Sequence, residues 1–329
     1  MFIHMTYMQV TRVVREEFDG MPAWRIQSES GASALVAERG ASLLSWQPRP
    51  GVEVIDGYAD AQELSGAVAS RCDVMVPWAG RVKDAQYVFD GVTYHLERRI
   101  NGAALHGLVQ FLDFTAERTD ELLTLRCDCA GAEGYPWPFT VRVTFSIDAS
   151  ADGCERLSVT IAATNTGDTD IPMVIGWHPY FRLPGHKTIS KYSLEIPART
   201  RIAFGPDMVP LPGEAAYGGV KAPVVLDYLG ARKMDESYRG LIPDDDGVVN
   251  TKVRDVASGA TITLSQEPSE TPVVHVFSSD GLPRNERASL ALEPLSHLPD
   301  AFNRADSKTS VRLAPGATRQ LTATVTYQH

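Results

Sequence analysis

The chain has 329 residues, of which 43% are hydrophobic and 22% charged, and its formal net charge is −10. This length and composition can bury a large core, and large all-β folds often form one domain of this size. The negative charge and the absence of any basic block argue against a nucleic-acid or anionic-membrane partner. Four cysteines are too few for a disulfide framework and form no zinc-binding pair, so we expect buried, reduced thiols.

The N-terminal segment lacks the positive start, apolar core and small-residue cleavage site of a secretory signal. No run in the chain approaches the roughly 18 apolar residues that a membrane helix needs. These features predict a cytoplasmic protein without a membrane partner. The sequence leaves open whether Met5 or Met8 is the true start.

The first predicted element is a short helix over Asp60–Ser70, in which Asp60 can cap the N-terminus and Glu63 stands three residues later. Elsewhere helical patterning is scarce. Alternation of apolar and polar residues predicts half-buried strands over Val141–Ile147 and Leu157–Ile161. Six Asp-Gly pairs, at residues 19, 56, 90, 152, 246 and 280, predict turns between strands.

Two segments of the second half, Leu183–Lys191 and Met208–Lys221, are rich in proline and glycine and are predicted as long loops. Loops longer than a fold needs often build a site. A last alternating strand follows at Leu321–Tyr327. Because no repeat, charge run or low-complexity linker marks a boundary, we expect one domain over residues 1–329. Its class is all-β, an antiparallel β-sandwich with few short helices.

Two segments in the first third carry side chains suited to a ligand rich in hydroxyls. Trp78 offers an aromatic plane and Arg81 a rigid fork of donors. Asn101 and His106 follow in the sequence NGAALHG, where Gly107 would allow close approach of a ligand or another backbone. The structural alternatives are a surface ion pair for Arg81 and a hydrogen-bonded structural histidine for His106.

Two further segments place titratable groups beside aromatic or irregular sequence. His178 stands in GWHPYF, where Pro179 holds it out of a helix and the aromatics would suit a carbohydrate site. A buried aromatic cluster that happens to include a histidine is the alternative. Asp235, in KMDESYR, could accept from two hydroxyls or orient a histidine, although an Asp in a loop is usually only solvated.

The segment Leu290–Asn303, LALEPLSHLPDAFN, delivers one carboxylate, Glu293, at a predicted strand end. Pro294 cannot donate to a ladder, so we expect pairing to stop there. A carboxylate held beside apolar side chains is suited to act as a general base, although the segment alone is also typical of a surface acid at a bend. The motifs of NTPases, serine hydrolases, zinc proteases and dinucleotide-binding proteins are absent from the sequence.

These segments, in this order, resemble the aldose 1-epimerase (galactose mutarotase) family over essentially the whole chain. The matching motifs are AGR at 79–81, LHG at 105–107, GYPW at 134–137, HPYF at 178–181, the region around 235, and LEP with PDAFN within 292–303. The resemblance implies a large antiparallel β-sandwich, the galactose mutarotase-like supersandwich, with a sugar cleft on its concave face.

The family interconverts the α and β anomers of free aldoses, and the resemblance implies the same reaction here with no cofactor and no metal. Glu293 corresponds to the base that takes the proton from O1, and His178 to the acid that protonates the ring oxygen O5. Arg81, His106 and Asp235 correspond to residues that hold sugar hydroxyls. An unperturbed Glu is ionised at neutral pH while an unperturbed His is partly protonated, so one base and one acid can coexist.

One position departs from the family pattern. Many members carry Gln in the strand before the catalytic Glu, whereas this chain has His275, which can hydrogen-bond a hydroxyl but can also titrate. We include His275, with Trp78 and Asn101, among the expected substrate contacts.

Two alternatives remain open from the sequence. The first is a mutarotase for a phosphorylated or sulfonated hexose, whose anion would meet Arg182, Lys187 or Arg239. The second is a non-catalytic sugar-binding sandwich, which would need neither a base nor a titrating acid. In each case the expected partner is a small sugar and the expected assembly a monomer or homodimer.

Overall fold

A computed structural model of the chain describes residues 12–149 and 154–329. The predicted turn at Asp152 and the candidate start methionines lie outside these ranges.

The first strands of the described chain are β1 (Arg12–Phe18), β2 (Met21–Gln27), β3 (Ser33–Ala37), β4 (Leu43–Gln47), β5 (Val74–Met75), β6 (Arg81–Val82), β7 (Gln86–Phe89), β8 (Val92–His95) and β9 (Ala104–Leu105). The next are β10 (Thr115–Arg118), β11 (Leu123–Cys129), β12 (Phe139–Ala149), β13 (Glu155–Asn165), β14 (Ile171–Pro172), β15 (Gly176–Trp177), β16 (Tyr180–Phe181), β17 (Tyr192–Ile196) and β18 (Ala198–Ile202). The last are β19 (Tyr217–Gly219), β20 (Val224–Leu226), β21 (Asp235–Leu241), β22 (Val249–Asp255), β23 (Thr261–Gln266), β24 (Val273–Phe277), β25 (Leu290–Leu295), β26 (Arg312–Leu313) and β27 (Thr318–Gln328).

Helices are short. The α-helix of the described chain is α1 (Ala61–Ser65), and the 3-10 helices are Val68–Ser70, Lys83–Ala85, Val109–Phe111, Ile189–Lys191, Gly213–Ala216 and Ala301–Asn303. No helix within the described ranges is long and apolar enough to cross a membrane.

Two large antiparallel sheets build the molecule. One has nine strands in the order β10-β11-β12-β13-β27-β23-β22-β17-β20. The other has eight, in the order β19-β18-β21-β24-β25-β15-β5 with β16 also paired to β25. A four-stranded sheet of β1 to β4 precedes them. Apolar side chains of both large sheets belong to one continuous core, so the fold is the all-β sandwich that the alternation predicted.

The predicted strands are confirmed, with buried side chains at alternate positions. On β12, Val141, Val143 and Phe145 are fully buried. The helix predicted over Asp60–Ser70 is shorter than expected, since α1 ends at Ser65 and a 3-10 turn follows. Its predicted cap is present, because the Asp60 carboxylate accepts a hydrogen bond from the Glu63 amide at 2.8 Å.

The remaining local predictions, on the cysteines and on a long loop, are confirmed in part. Cys72, Cys127 and Cys129 are buried free thiols, as expected, whereas Cys154 is only half-buried. The segment predicted as a loop over Met208–Lys221 is mostly irregular, but it also contains the short strand β19, which pairs with β18.

The prediction that strand pairing stops at Glu293 is wrong, because β25 continues to Leu295 and Pro294 lies opposite Val274. On the other side of β25, the amides of Leu292 and Ser296 donate to the carbonyls of residues 179 and 175. By alternation, the nitrogen of Pro294 faces the gap between β15 and β16, where no ladder bond is made. Proline is therefore tolerated inside this strand.

The same alternation positions the functional side chains. Along β24 and β25, Val274, Val276 and Leu292 belong to the core shared with the nine-stranded sheet. His275, between the two valines, and Glu293, next to Leu292, line a cavity on the opposite face. The central strands of the eight-stranded sheet thus hold the core on one face and a ligand-sized space on the other.

Candidate active site

A cavity of about 520 Å³ brings together six of the eight predicted site residues. Those residues are Arg81, His106, His178, Asp235, His275 and Glu293. They come from strands β6, β21, β24 and β25 and from the segments that follow β9 and β15. The volume is within the range of small-molecule sites.

Glu293 lines the cavity, and its side chain is only 3% exposed. Burial raises the pKa of this carboxyl to about 7, and the nearby Asp235 charge acts in the same direction. The charges of His275 and Arg81 oppose the rise. The carboxyl therefore ionises near neutrality, as a general base should.

His178 is held by its backbone and by its ring. Its amide donates to the carbonyl of Asp73 and its carbonyl accepts from the amide of Cys72, both at 3.0 Å. The ring stacks on Tyr180 with centroids 4.8 Å apart. These contacts place Nε2 at 3.2 Å from Oε1 of Glu293.

The charge of His178 differs from the sequence expectation. Burial lowers its pKa to about 3, so the imidazole is neutral at neutral pH rather than partly protonated. The ring's Nδ1 is buried without a hydrogen-bond partner among the described residues. Because a carboxylate can only accept, the proton of the neutral ring belongs on Nε2, the nitrogen that faces Glu293.

Arg81 and His106 are joined by the pairing of β6 with β9, in which Arg81 lies opposite Leu105. The amide of Gly80 donates to Nδ1 of His106 at 3.2 Å, and the amide of His106 donates back to the carbonyl of Gly80 at 3.1 Å. Burial and the neighbouring His178 lower the pKa of His106 well below its ordinary value. Its proton is thus on Nε2, where it can donate to a ligand.

Asp235 and His275 form an ion pair at the cavity wall. His275 Nε2 lies 2.9 Å from Oδ1 of Asp235, and Nδ1 lies 2.8 Å from Oγ of Ser237. The other Asp235 oxygen is 3.9 Å from the Arg81 guanidinium. Burial acts to lower the pKa of His275, but Glu293 and Asp235 outweigh it and the net shift is upward. Burial alone would raise the pKa of Asp235, whereas the hydrogen bond and charge of His275 lower it.

Two predicted contacts lie elsewhere. Trp78 is 4% exposed and packs in the core 6.5 Å from the ring of Tyr135, because the chain turns its indole inward. Asn101 is exposed on a turn beside Ile100, which does line the cavity. The structure therefore places both outside the cavity, and we leave them out of the proposed sugar contacts.

Sequence reasoning missed several residues that line the cavity, among them Arg99, Phe204 and Phe277. Phe277 could have been found, because it lies two residues after His275 on the same face of β24. The sequence around the other two carries no comparable signal. Conversely, the cations proposed to receive a charged sugar, Arg182, Lys187 and Arg239, do not line the cavity.

The geometry thus combines a base that ionises near neutrality, a neutral imidazole donor in contact with it, and further donors from Arg81 and His106. Asp235 adds an acceptor across the cavity. Such a set can remove a proton from one oxygen of a polyol and deliver one to another. Nothing in this step calls for an electron sink.

Comparisons with known proteins identify the family of the chain. The model of the aldose 1-epimerase family matches residues 22–326. The chain is 26% identical to the uncharacterised Escherichia coli protein YihR over 70% of its own length and 71% of that protein's. It is 27% identical to the uncharacterised Escherichia coli protein YphB, over 76% and 81% respectively.

A solved structure has the same fold. The aldose epimerase homologue of Caenorhabditis elegans superposes with a TM-score of 0.77 at 19% identity, covering 92% of this chain and 97% of that one. At this identity the likeness supports the fold alone. The match of the family model over nearly the whole chain shows more: the protein belongs to the aldose 1-epimerase family.

Proposed function

We propose that the protein is an aldose mutarotase that interconverts the α and β anomers of a free aldose. The observation that carries the proposal is the contact of Glu293 with His178, at 3.2 Å, in the lining of a cavity of about 520 Å³. Two opposed proton transfers, at O1 and at O5, are what anomer exchange requires.

In the proposed reaction, ionised Glu293 takes the proton of the anomeric hydroxyl O1. His178 gives the Nε2 proton to the ring oxygen O5, and the C1–O5 bond breaks to leave the open-chain aldehyde. Glu293 passes the proton that it took from O1 to Nε2, so the imidazole remains neutral and the carboxylate is restored. The aldehyde turns about the C1–C2 bond and O5 attacks its other face. The two residues then act in reverse, Glu293 returning a proton to O1 and His178 recovering one from O5.

A neutral imidazole can serve as the donor at O5. Its N–H stabilises negative charge that develops on the ring oxygen, and neutral histidine performs a comparable role in other isomerases. Because His178 and Glu293 are in direct contact, the proton that Glu293 takes from O1 can replace the one that His178 gives to O5. Arg81, His106 and Asp235 would hold the remaining hydroxyls.

The test is polarimetry of freshly dissolved α-D-glucose, α-D-galactose and other aldoses. We expect equilibration faster than in buffer for at least one of them. Glu293→Gln should lower kcat by roughly 10²–10⁴-fold, the usual contribution of a general base, while sugar binding persists. Glu29→Gln, an exposed change far along the chain, is the matched control. Correctly folded protein that accelerates none of the sugars would refute the proposal.

The alternatives are less well supported. A charged hexose could meet Arg81 and Arg99, which line the cavity, whereas Arg182, Lys187 and Arg239, considered from the sequence, do not. A non-catalytic binder has no use for a buried carboxyl that ionises near neutrality. Competition between free and phosphorylated hexoses in the same assay separates these cases.

A further inference from the structure

His275 has no ring nitrogen free for a sugar. Nε2 is bound to Asp235 at 2.9 Å and Nδ1 to Ser237 at 2.8 Å, and both Ser237 and the imidazole are buried. A hydroxyl could reach the ring only by displacing one of these partners. The position of His275 instead points to Glu293, which is its direct cross-strand neighbour between β24 and β25.

Several titratable or charged groups surround Glu293 from the elements packed against it. They are His275 on β24, Asp235 on β21, Arg81 on β6, Tyr180 on β16, and His178 and His106 in the segments after β15 and β9. Burial keeps the last two histidines neutral. The positive charges that act on Glu293 are therefore those of Arg81 and His275, and Arg99 also lines the cavity.

An imidazolium at position 275 has two carboxylates to compensate it. Asp235 accepts its Nε2 proton, and Glu293 lies opposite on the neighbouring strand. Ser237 can accept the Nδ1 proton, so both N–H groups of a charged ring are satisfied. A buried cation is stable only with such compensation. Removing it would leave the neighbouring carboxylates Asp235 and Glu293 with Arg81 as their nearby positive charge.

We propose that His275 is a positioning residue whose imidazolium, held between Asp235 and Ser237, favours the ionised form of Glu293 near neutral pH. This inference rests on the proposed function for its kinetic consequence, but not for its electrostatic one. Loss of the positive charge must raise the pKa of Glu293, because a nearby cation stabilises the carboxylate form. The base would then be protonated over more of the neutral range.

The first measurement is independent of activity. Protein carrying ¹³C at the glutamate side-chain carboxyl would be titrated by NMR without sugar, with the Glu293 signal assigned by its absence in Glu293→Gln. In His275→Gln, a neutral side chain that can still donate to Asp235, the Glu293 midpoint should rise by about one unit or more. Ser237→Ala, which removes the Nδ1 partner, should shift it in the same direction by less.

The second measurement is the pH dependence of kcat/KM. Since the base must be ionised, the wild-type rate should fall as pH drops through the midpoint of Glu293, near pH 7. A rise of one unit predicts a roughly tenfold loss in His275→Gln at pH 6 and less than a twofold loss at pH 9. A merely structural role would lower the rate by the same factor at every pH. His95→Gln, on the exposed strand β8, is the control.

The outcomes separate this inference from the proposed function. An unchanged Glu293 midpoint in folded His275→Gln and Ser237→Ala protein would overturn the role of His275, whatever the polarimetry shows. A shifted midpoint in a protein that accelerates no aldose would support the electrostatic coupling and refute the mutarotase assignment. Circular dichroism confirms that each variant is folded before its titration is interpreted.

Discussion

At the scale of single residues, the site depends on two groups whose ionisation is opposed by the same cause. Burial disfavours both a carboxylate at Glu293 and an imidazolium at His178. The base consequently ionises near pH 7, and the donor remains neutral throughout the physiological range. The protein thus reaches a base of useful strength by excluding water from a carboxyl, which has a cost in stability.

That cost predicts a pH-dependent gain in stability for Glu293→Gln. The raised pKa means that the folded state holds this proton more tightly than the unfolded chain. Ionisation of Glu293 therefore lowers the free energy of unfolding. This loss grows as pH rises from the ordinary pKa of a Glu side chain to about 7, and above that pH it stays constant at about 3 kcal/mol. The variant should melt at a higher temperature than the wild type at pH 8 and at the same temperature near pH 4.

Thermal unfolding followed by circular dichroism across this pH range measures the difference. Glu29→Gln, at an exposed position, should leave the melting temperature unchanged at each pH. Equal melting temperatures of Glu293→Gln and wild type at pH 8 would show that the buried carboxylate is not destabilising.

At the scale of elements, short segments align the site by close backbone contact. The carbonyl of Arg81 accepts from the amide of Asp300 at 2.7 Å, and the Asp300 carboxylate accepts from Lys83 at 2.9 Å. The donor of the second bond is the backbone amide of Lys83, so main-chain contacts tie the AGR segment to PDAFN, far away in sequence, as well as to LHG. Motifs that read as separate in the chain act as one assembly around Arg81 and His106.

The structure of the LHG segment predicts that Gly107 cannot be replaced by a larger residue without a loss of stability. A Cβ there would lie 2.2 Å from the carbonyl oxygen of Val76, and φ is +78°. Gly107→Ala should therefore displace His106, destabilise the protein by more than 2 kcal/mol and lower kcat/KM. Gly102→Ala is the matched control, because its φ is +83° but its Cβ meets nothing within 4 Å. It should cost only about 1 kcal/mol.

Urea unfolding and polarimetry on the two variants measure these effects. Similar losses in both would mean that backbone conformation, rather than the contact with Val76, limits the position. The comparison of the two variants separates the effect of the close contact with Val76 from the strain of a left-handed backbone conformation.

At the scale of the molecule, a buried ionic cluster joins two segments that border the cavity. Arg71, 1% exposed, donates to Asp56 at 2.5 Å, and Asp56 also accepts from Asn285 at 3.1 Å and Ser289 at 2.9 Å. The guanidinium of Arg71 lies over the ring of Tyr180, on which His178 stacks. The cluster therefore connects the loop after β24 to the support of His178.

Asp56→Asn should break this connection with little change in shape. It leaves the Arg71 charge buried without its partner, which typically costs about 3–5 kcal/mol. We also expect a higher KM, because residues 280–282 of the loop line the cavity. Denaturant unfolding and steady-state polarimetry are the measurements. Asp120→Asn, which removes an exposed partner of Arg118, should change neither quantity, and a cluster variant that behaves like it would contradict the coupling.

The sequence by itself determined the fold class and most of the candidate site. Alternation marked the strands because one face of each must be apolar, and six of eight predicted site residues line one cavity. It also marked Glu293 as a candidate base. These features depend on local sequence patterns, or on motifs that can be recognised from their order along the chain.

Only the tertiary structure decided the features that depend on neighbours distant in sequence. In the structure, β25 continues past Pro294, because the facing strand is interrupted between β15 and β16. The tertiary structure also turned Trp78 into the core, engaged both nitrogens of His275, and made His178 neutral by burial. Desolvation and charge–charge coupling are set by what surrounds a group in space, so no reading of spacing along the chain could supply them.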